Sequence, residues 1–183
     1  MRLYRIMAAA ALWLLPATHA DVRACLCDLA QPATLEAREC SLCKEVEKHA
    51  ADVPYFYLRD TNPTKPNRWL VLPRFHGSHP QQLQEMTAEQ RTAYWKAAID
   101  KARELWGEDW GIALNSLEKR TQCHIHIHIG KLLPGSEDDQ FVVVDGPEGI
   151  PLPAEGNGVW VHPAGARYHA HVNAPAGELK LQR

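Results

Sequence analysis

"QCHIHIHIG", residues 122–130, sets His124, His126 and His128 against Ile125, Ile127 and Ile129. A strand turns successive side chains to opposite sides, so this stretch predicts a strand with an all-isoleucine face toward a core. The three imidazoles share the other face, roughly 6.5–7 Å apart from one to the next. A solvated strand face ordinarily carries Thr, Lys or Glu, so placing three of the chain's ten histidines there points to chemistry. Two uses fit. The imidazoles can ligate a metal such as zinc, or one nitrogen can attack phosphorus while its neighbours orient it. Spacing alone leaves both open.

The segments on either side predict the rest of the fold. Upstream, "TAEQ" at 87–90 is a capping box. The helix it starts carries Tyr94, Trp95, Ala98, Ile99, Ala102, Leu105 and Trp106 along one broad stripe and stops at Gly107. "PYFYLRD" and "RWLVLPR", separated by the turn "TNPTKPN", read as an antiparallel hairpin. Thr34 to about Ala51, with Leu35, Leu42 and Val46 at helical spacing, reads as an earlier helix. "WGIALNS" is a strand before the histidines, and "QFVVVDG", "GVWVHP" and "RYHAHV" are three more after them. The order predicts an α+β domain: a mainly antiparallel sheet flanked by helices, with a β-rich C-terminal tail.

The N-terminal "MRLYRIMAAAALWLLPATHA" places Arg2 and Arg5 before a short apolar run and ends in Thr18 and Ala20. That layout predicts a signal peptide over residues 1–20 and a periplasmic or secreted product. Residues 21–183 then form a single domain, with no membrane span after the signal is removed. Removing Arg2 and Arg5 from the 20 basic residues leaves 18 against 22 acidic ones, a formal charge of −4. A mildly acidic chain has no electrostatic reason to bind nucleic acid.

The wider stretch "NSLEKRTQCHIHIHIG", from Asn115 to Gly130, resembles the signature of the histidine triad superfamily. Its "RTQ" before the histidines looks closest to the CDP-diacylglycerol pyrophosphatase branch. "FYLRDTNPTKPNRWLVLPRFH" is similar to the family's strand–turn–strand, and "ECSLC" to the Cys-x-x-Cys near the start of many members. The resemblance covers about residues 40–133, so residues 134–183 stand as an extra tail. Where the family commonly carries Gly, this chain has Glu118 and Lys119.

The resemblance implies a histidine-triad-like fold and a phosphoanhydride hydrolase or nucleotidyl transferase acting on a nucleoside-phosphate conjugate, with or without a lipid. His124, His126 and His128 are the implied catalytic residues, with His126 as nucleophile and His128 donating to phosphoryl oxygen. Asn115, Thr121 and Gln122 are the implied substrate contacts. No cofactor is implied for catalysis, and a homodimer is implied by analogy. Two other functions compete: a zinc protein that uses the alternating histidines as ligands, and a nucleotide-binding module without turnover.

Of the five cysteines, Cys25 and Cys27 form one cluster and Cys40 and Cys43 another. In an exported chain they suit disulfides across the two clusters, because a Cys25–Cys27 bridge would be strained. They also suit structural zinc, either as four thiolates or, following the resemblance, as Cys40 and Cys43 with His76 and His124. Cys123 falls on the isoleucine face and reads as a buried, inert thiol. In the tail, His162, His169 and His171 read either as outward polar residues of a hairpin or as a cap or metal site.

Overall fold

The computed structural model describes residues 22–76 and 81–183; the signal-peptide expectation for 1–20 lies outside them. Seven strands form one antiparallel sheet: β1 (Tyr55–Arg59), β2 (Trp69–Pro73), β3 (Trp110–Leu114), β4 (Ile127–Lys131), β5 (Val142–Val144), β6 (Val159–Ala164) and β7 (Arg167–Val172). Their spatial order is β1-β2-β4-β3-β6-β7-β5. The α-helices are α1 (Ser41–Val46) and α2 (Ala88–Trp106). The class is α+β, as the sequence pattern predicts.

α2 covers one sheet face. Both halves of its capping box are formed, between Thr87 and Gln90, and it ends at Gly107 with φ +60°. Tyr94, Trp95, Ala98, Ile99 and Ala102 pack against Val71, Ile112, Ile127, Ile129 and Val161, all buried. The Tyr94 hydroxyl donates to the Val71 carbonyl, so its polar end is satisfied inside this core. The isoleucine face meets α2, as the alternation requires.

Two separate pieces cover much of the opposite face. α1 seats Val46 on Phe56, Leu70 and Leu72. In the middle, a 3-10 turn at Gly177–Lys180 and the following Leu181 lie on Ala113 and Trp160. Gly111 and Gly130 are cross-strand partners beneath this tail. A Cβ on Gly111 would fall inside the Leu181 side chain, and one on Gly130 inside that of Arg68. The buried Arg68 guanidinium donates to the carbonyls of Glu178, Leu181 and Gln182 and so clamps the tail down. Beyond this lies a group of histidines on β6 and β7.

Two expectations change here. Residues 134–183 are not an appendage, because β6 pairs with β3 inside the central sheet. The helix expected over Thr34–Ala51 is broken into two 3-10 turns and the six-residue α1. The break is at Ala37, whose backbone is extended (φ −63°, ψ 142°); it turns Cys40 toward Cys27.

Disulfides join Cys27 to Cys40 and Cys25 to Cys123, leaving Cys43 free and buried. Pairing across the two clusters is therefore half right, and Cys123 is not the inert thiol expected. It leaves the isoleucine face because its segment bends before β4 begins. Two disulfides fit an oxidising, extracytoplasmic compartment. No helix among the described residues is long and apolar enough to cross a membrane. Burial pushes the Cys43 thiol up to about 11. A chromogenic disulfide reagent should therefore find no reactive thiol in the native protein and one after unfolding without reductant. Mass mapping should place it at Cys43; a label at Cys123 would refute this pairing.

Candidate functional site

β4 is shorter than the histidine repeat, and that decides where each imidazole goes. Its ladder starts at Ile127, so His126 and His128 enter the site while residues 123–126 follow a bend. Several contacts hold the bend. The Cys123 amide donates to the Glu39 carbonyl at 2.8 Å, and the Ile125 amide donates to the Gln81 side chain at 3.1 Å. Arg120 in turn donates to the Gln81 carbonyl at 2.7 Å.

His126 and His128 stand edge to face with ring centres 4.9 Å apart. They are 4% and 7% exposed and line a cleft of about 460 Å³. His128 is positioned by pairing with Leu70 on β2 and Ala113 on β3. His124 does not join them. It is fully buried, its Nε2–H donates to the Pro73 carbonyl at 2.8 Å, and its ring is 4.9 Å from that of His76. One shared face for the three histidines was expected from an unbroken strand, and the bend breaks it.

The other expected contacts divide in the same way. Asn115 and Thr121 line the cleft. Asn115 Oδ1 accepts the Glu178 amide at 3.1 Å, so the group it can offer a ligand is its amide N–H. Gln122 also lines the cleft but is committed to structure. Its Oε1 accepts from Ser41 and the Leu42 amide, and its Nε2 donates to the Arg38 carbonyl. Gln122 thereby ties α1 to the site.

The zinc set expected from Cys40, Cys43, His76 and His124 does not assemble as four ligands. Cys40 is bonded to Cys27, and the His124 Nε2–H is given to a carbonyl. A disulfide sulfur is not a thiolate, and thiolate is the metal ligand.

Seven charged residues complete the cleft, five of them outside the Asn115–Gly130 stretch. Arg38, Arg59, Lys65, Lys119 and Arg120 line it against the carboxylates Asp60 and Glu178. This excess of cations stands in a chain whose formal charge is −2, so the field is concentrated where an anion would enter. Burial pulls Arg120 down to about 10, which leaves it charged at pH 7. Glu178 Oε2 lies 2.5 Å from Lys65, 3.8 Å from Arg68 and 3.6 Å from His128 Nδ1. Burial opposes ionisation of Glu178, but the Lys65 ammonium and the Arg68 guanidinium beside it hold its carboxyl below the usual carboxylate range. Its cationic partners at neutral pH are Lys65 and Arg68, because burial holds His128 well below its ordinary value and so uncharged.

Burial also lowers His126, to about 4, against the opposing effect of its hydrogen bond to the His124 backbone. That bond is chemically informative. His126 Nδ1 lies 2.9 Å from the His124 carbonyl, which can only accept, so Nδ1 carries the proton. Nε2 is left with the free lone pair.

The same burial gives a pH dependence of stability. Between pH 6.5 and about 4 the unfolded chain protonates His126 and the folded chain does not. Stability must therefore fall as pH falls through that window, by about 3 kcal/mol from His126 alone. His128 acts in the same direction, and the lowered Glu178 carboxyl extends the loss below its usual 4.5. Denaturant melts of wild type and His126→Ala at pH 7, 5.5 and 4 measure this. The variant should lose distinctly less stability on acidification, and equal losses would contradict the burial argument.

No family model matches the chain, and no curated protein matches it.

Proposed function

We propose that this chain is an exported hydrolase of the histidine triad superfamily, with a histidine-triad-like fold, that cleaves the phosphoanhydride of a nucleoside-phosphate conjugate. One observation carries the reading: the His126 Nδ1–H is held by the His124 carbonyl, presenting Nε2 as a neutral nucleophile in a cation-lined cleft. The resemblance of Asn115–Gly130 to the family signature agrees with it.

The Nε2 lone pair attacks the α-phosphorus and forms an N–P bond. The bond from phosphorus to the bridging oxygen breaks, and its electron pair leaves on the departing phosphate. The imidazole then carries the nucleoside phosphate. Water attacks the same phosphorus, loses a proton to solvent, and returns the N–P electron pair to Nε2. One water is consumed, and the products are a nucleoside monophosphate and a phosphate ester. Arg38, Lys65, Lys119 and Arg120 oppose the charge of both phosphates. The Asn115 amide and the Thr121 hydroxyl supply neutral donors, and His128 stands beside the nucleophile to donate to a phosphoryl oxygen. Glu178 does not face substrate as a free anion, since Lys65 and Arg68 neutralise it. Leu42, Leu58 and Leu70 give one wall of the cleft an apolar character that a lipid-linked conjugate could use.

The zinc-enzyme alternative is not favoured, because only two of the three histidines reach the cleft. The test is a screen of nucleoside diphosphate conjugates, CDP-lipids among them, carrying an α-phosphorus label and quenched in alkali. An alkali-stable, acid-labile label on the protein, with nucleoside monophosphate as product, is the expected result. If every conjugate tested gives neither product nor label, the reading fails.

A further inference from the structure

A second group of imidazoles lies on the same sheet face as His128, two strands away. His162 on β6 and His169 on β7 are cross-strand partners, and His171 follows on β7 opposite Trp160. The segment before β5 lays Glu137 and Asp138 over them. His169 Nδ1 is 2.5 Å from Glu137 Oε1, and His162 Nε2 is 3.5 Å from the same oxygen. His171 Nδ1 is 3.1 Å from Asp138 Oδ1.

The tautomers follow from these partners. His162 Nδ1 lies 3.0 Å from the Pro163 carbonyl, which can only accept, so its proton sits on Nδ1. His171 Nδ1 faces a carboxylate, which likewise accepts. In both rings Nε2 is therefore a bare lone pair. Both nitrogens are buried and have no hydrogen-bond partner, in residues only 3% and 2% exposed. Two adjacent buried acceptors without a donor are costly unless something electron-poor lies between them. One ligand atom from each of Glu137, His162 and His171 lies within 4.8 Å of the others.

The geometry points to a metal site in which Glu137, His162 and His171 hold a divalent ion of the zinc class. Two imidazole nitrogens and one carboxylate oxygen are a three-ligand set that zinc accepts, with a fourth position left for water. Asp138 on His171 Nδ1 and Pro163 on His162 Nδ1 are the outer partners that orient ligating imidazoles. His169 donates from Nδ1 to Glu137 Oε1 and so holds that carboxylate in place. A cleft of about 380 Å³, lined by Asp138, His171 and Lys180, opens onto the site. Lys180 is 3.4 Å from Asp138, which screens its charge from the ion. The site is separate from the cleft of His126 and does not rest on the phosphoanhydride reading.

The disulfide-intact protein, stripped with chelator and dialysed, is titrated with Zn²⁺ against a chromophoric competitor. One equivalent should bind with an affinity on the order of micromolar or tighter. Co²⁺ in its place should give the visible absorption of a four-coordinate site, and Mg²⁺ and Ca²⁺, which prefer oxygen ligands, should not compete. His162→Ala with His171→Ala should lose the equivalent. Glu137→Gln, at a half-exposed side chain that leaves the fold intact, should weaken binding at least about tenfold. His126→Ala with His128→Ala should keep the equivalent. The proposal is overturned if wild type binds no stoichiometric Zn²⁺, if Glu137→Gln binds as tightly as wild type, or if the equivalent disappears with His126 and His128 instead.

Discussion

His126→Ala is expected to lower turnover of the best conjugate by roughly four orders of magnitude or more, the usual cost of deleting a covalent nucleophile. Substrate binding should change little, since the cleft's cations, Asn115 and Thr121 all remain. The fold should survive, because the isoleucines on either side, Ile125 and Ile127, carry the core contacts while the His126 side chain makes one hydrogen bond, to the nearby His124 carbonyl. His126→Gly leaves a hole the size of an imidazole, and added imidazole should partly restore the rate. His128→Ala should cost less, about 10²–10³-fold, as a lost oxyanion donor does. The pH profile is a further check. Because burial holds His126 at about 4, kcat/KM should rise through that pH and stay level above it, rather than rising near 6.5 as a solvated imidazole would. Near wild-type turnover by His126→Ala would end the nucleophile assignment.

The parts of this molecule that depend on local rules are legible in its sequence. The α2 capping box, its stop at Gly107 and the isoleucines under it follow from helix and strand periodicity, and the β1–β2 hairpin from its Asn and Pro turn. The site is only half legible. The alternating histidines mark the right place, but alternation holds only while the strand lasts, and contacts remote in sequence end it before Ile127. Gln81, Glu39 and Cys25 all act on that bend from elsewhere in the chain. No periodicity encodes them.

Glu178 was illegible for the same kind of reason. It reaches His128 only because Arg68 holds the tail carbonyls and Gly111 and Gly130 leave room beneath Leu181. A glycine pair facing each other across two strands is the one local hint that another segment lies on top. The cations of the cleft come from the end of β1, the turn before β2, the segment before α1 and the loop before the histidines; each alone looks like an ordinary surface charge. Which cysteine would remain free could not be read from spacing either, since Cys123 stands 98 residues from its partner.

That long separation makes the Cys25–Cys123 bond the largest single contributor to stability expected here. Closing a loop of this length removes chain entropy from the unfolded state worth about 4–5 kcal/mol, against about 3 kcal/mol for the 13-residue loop of Cys27–Cys40. The short loop lies inside the long one, so losing both should cost less than the two losses added together. Paired replacements test this: Cys25→Ala with Cys123→Ala, and Cys27→Ala with Cys40→Ala. Alanine is the right choice, because Cys123 and Cys40 are buried and a serine hydroxyl there would add a desolvation cost of its own. Guanidinium melts at pH 7 should show the first pair losing more than the second by one to two kcal/mol, roughly the difference between the two loop entropies. The first pair should also lose catalytic rate per folded molecule, since Cys123 anchors the bend that sets the His124 carbonyl against His126. The second pair should leave that rate nearly unchanged, because the Cys123 amide keeps its bond to Glu39 and Gln122 keeps its grip on α1. If the Cys27–Cys40 pair proves the costlier in both measurements, the stability of this fold rests on its N-terminal turns, not on the long tether to the histidine segment.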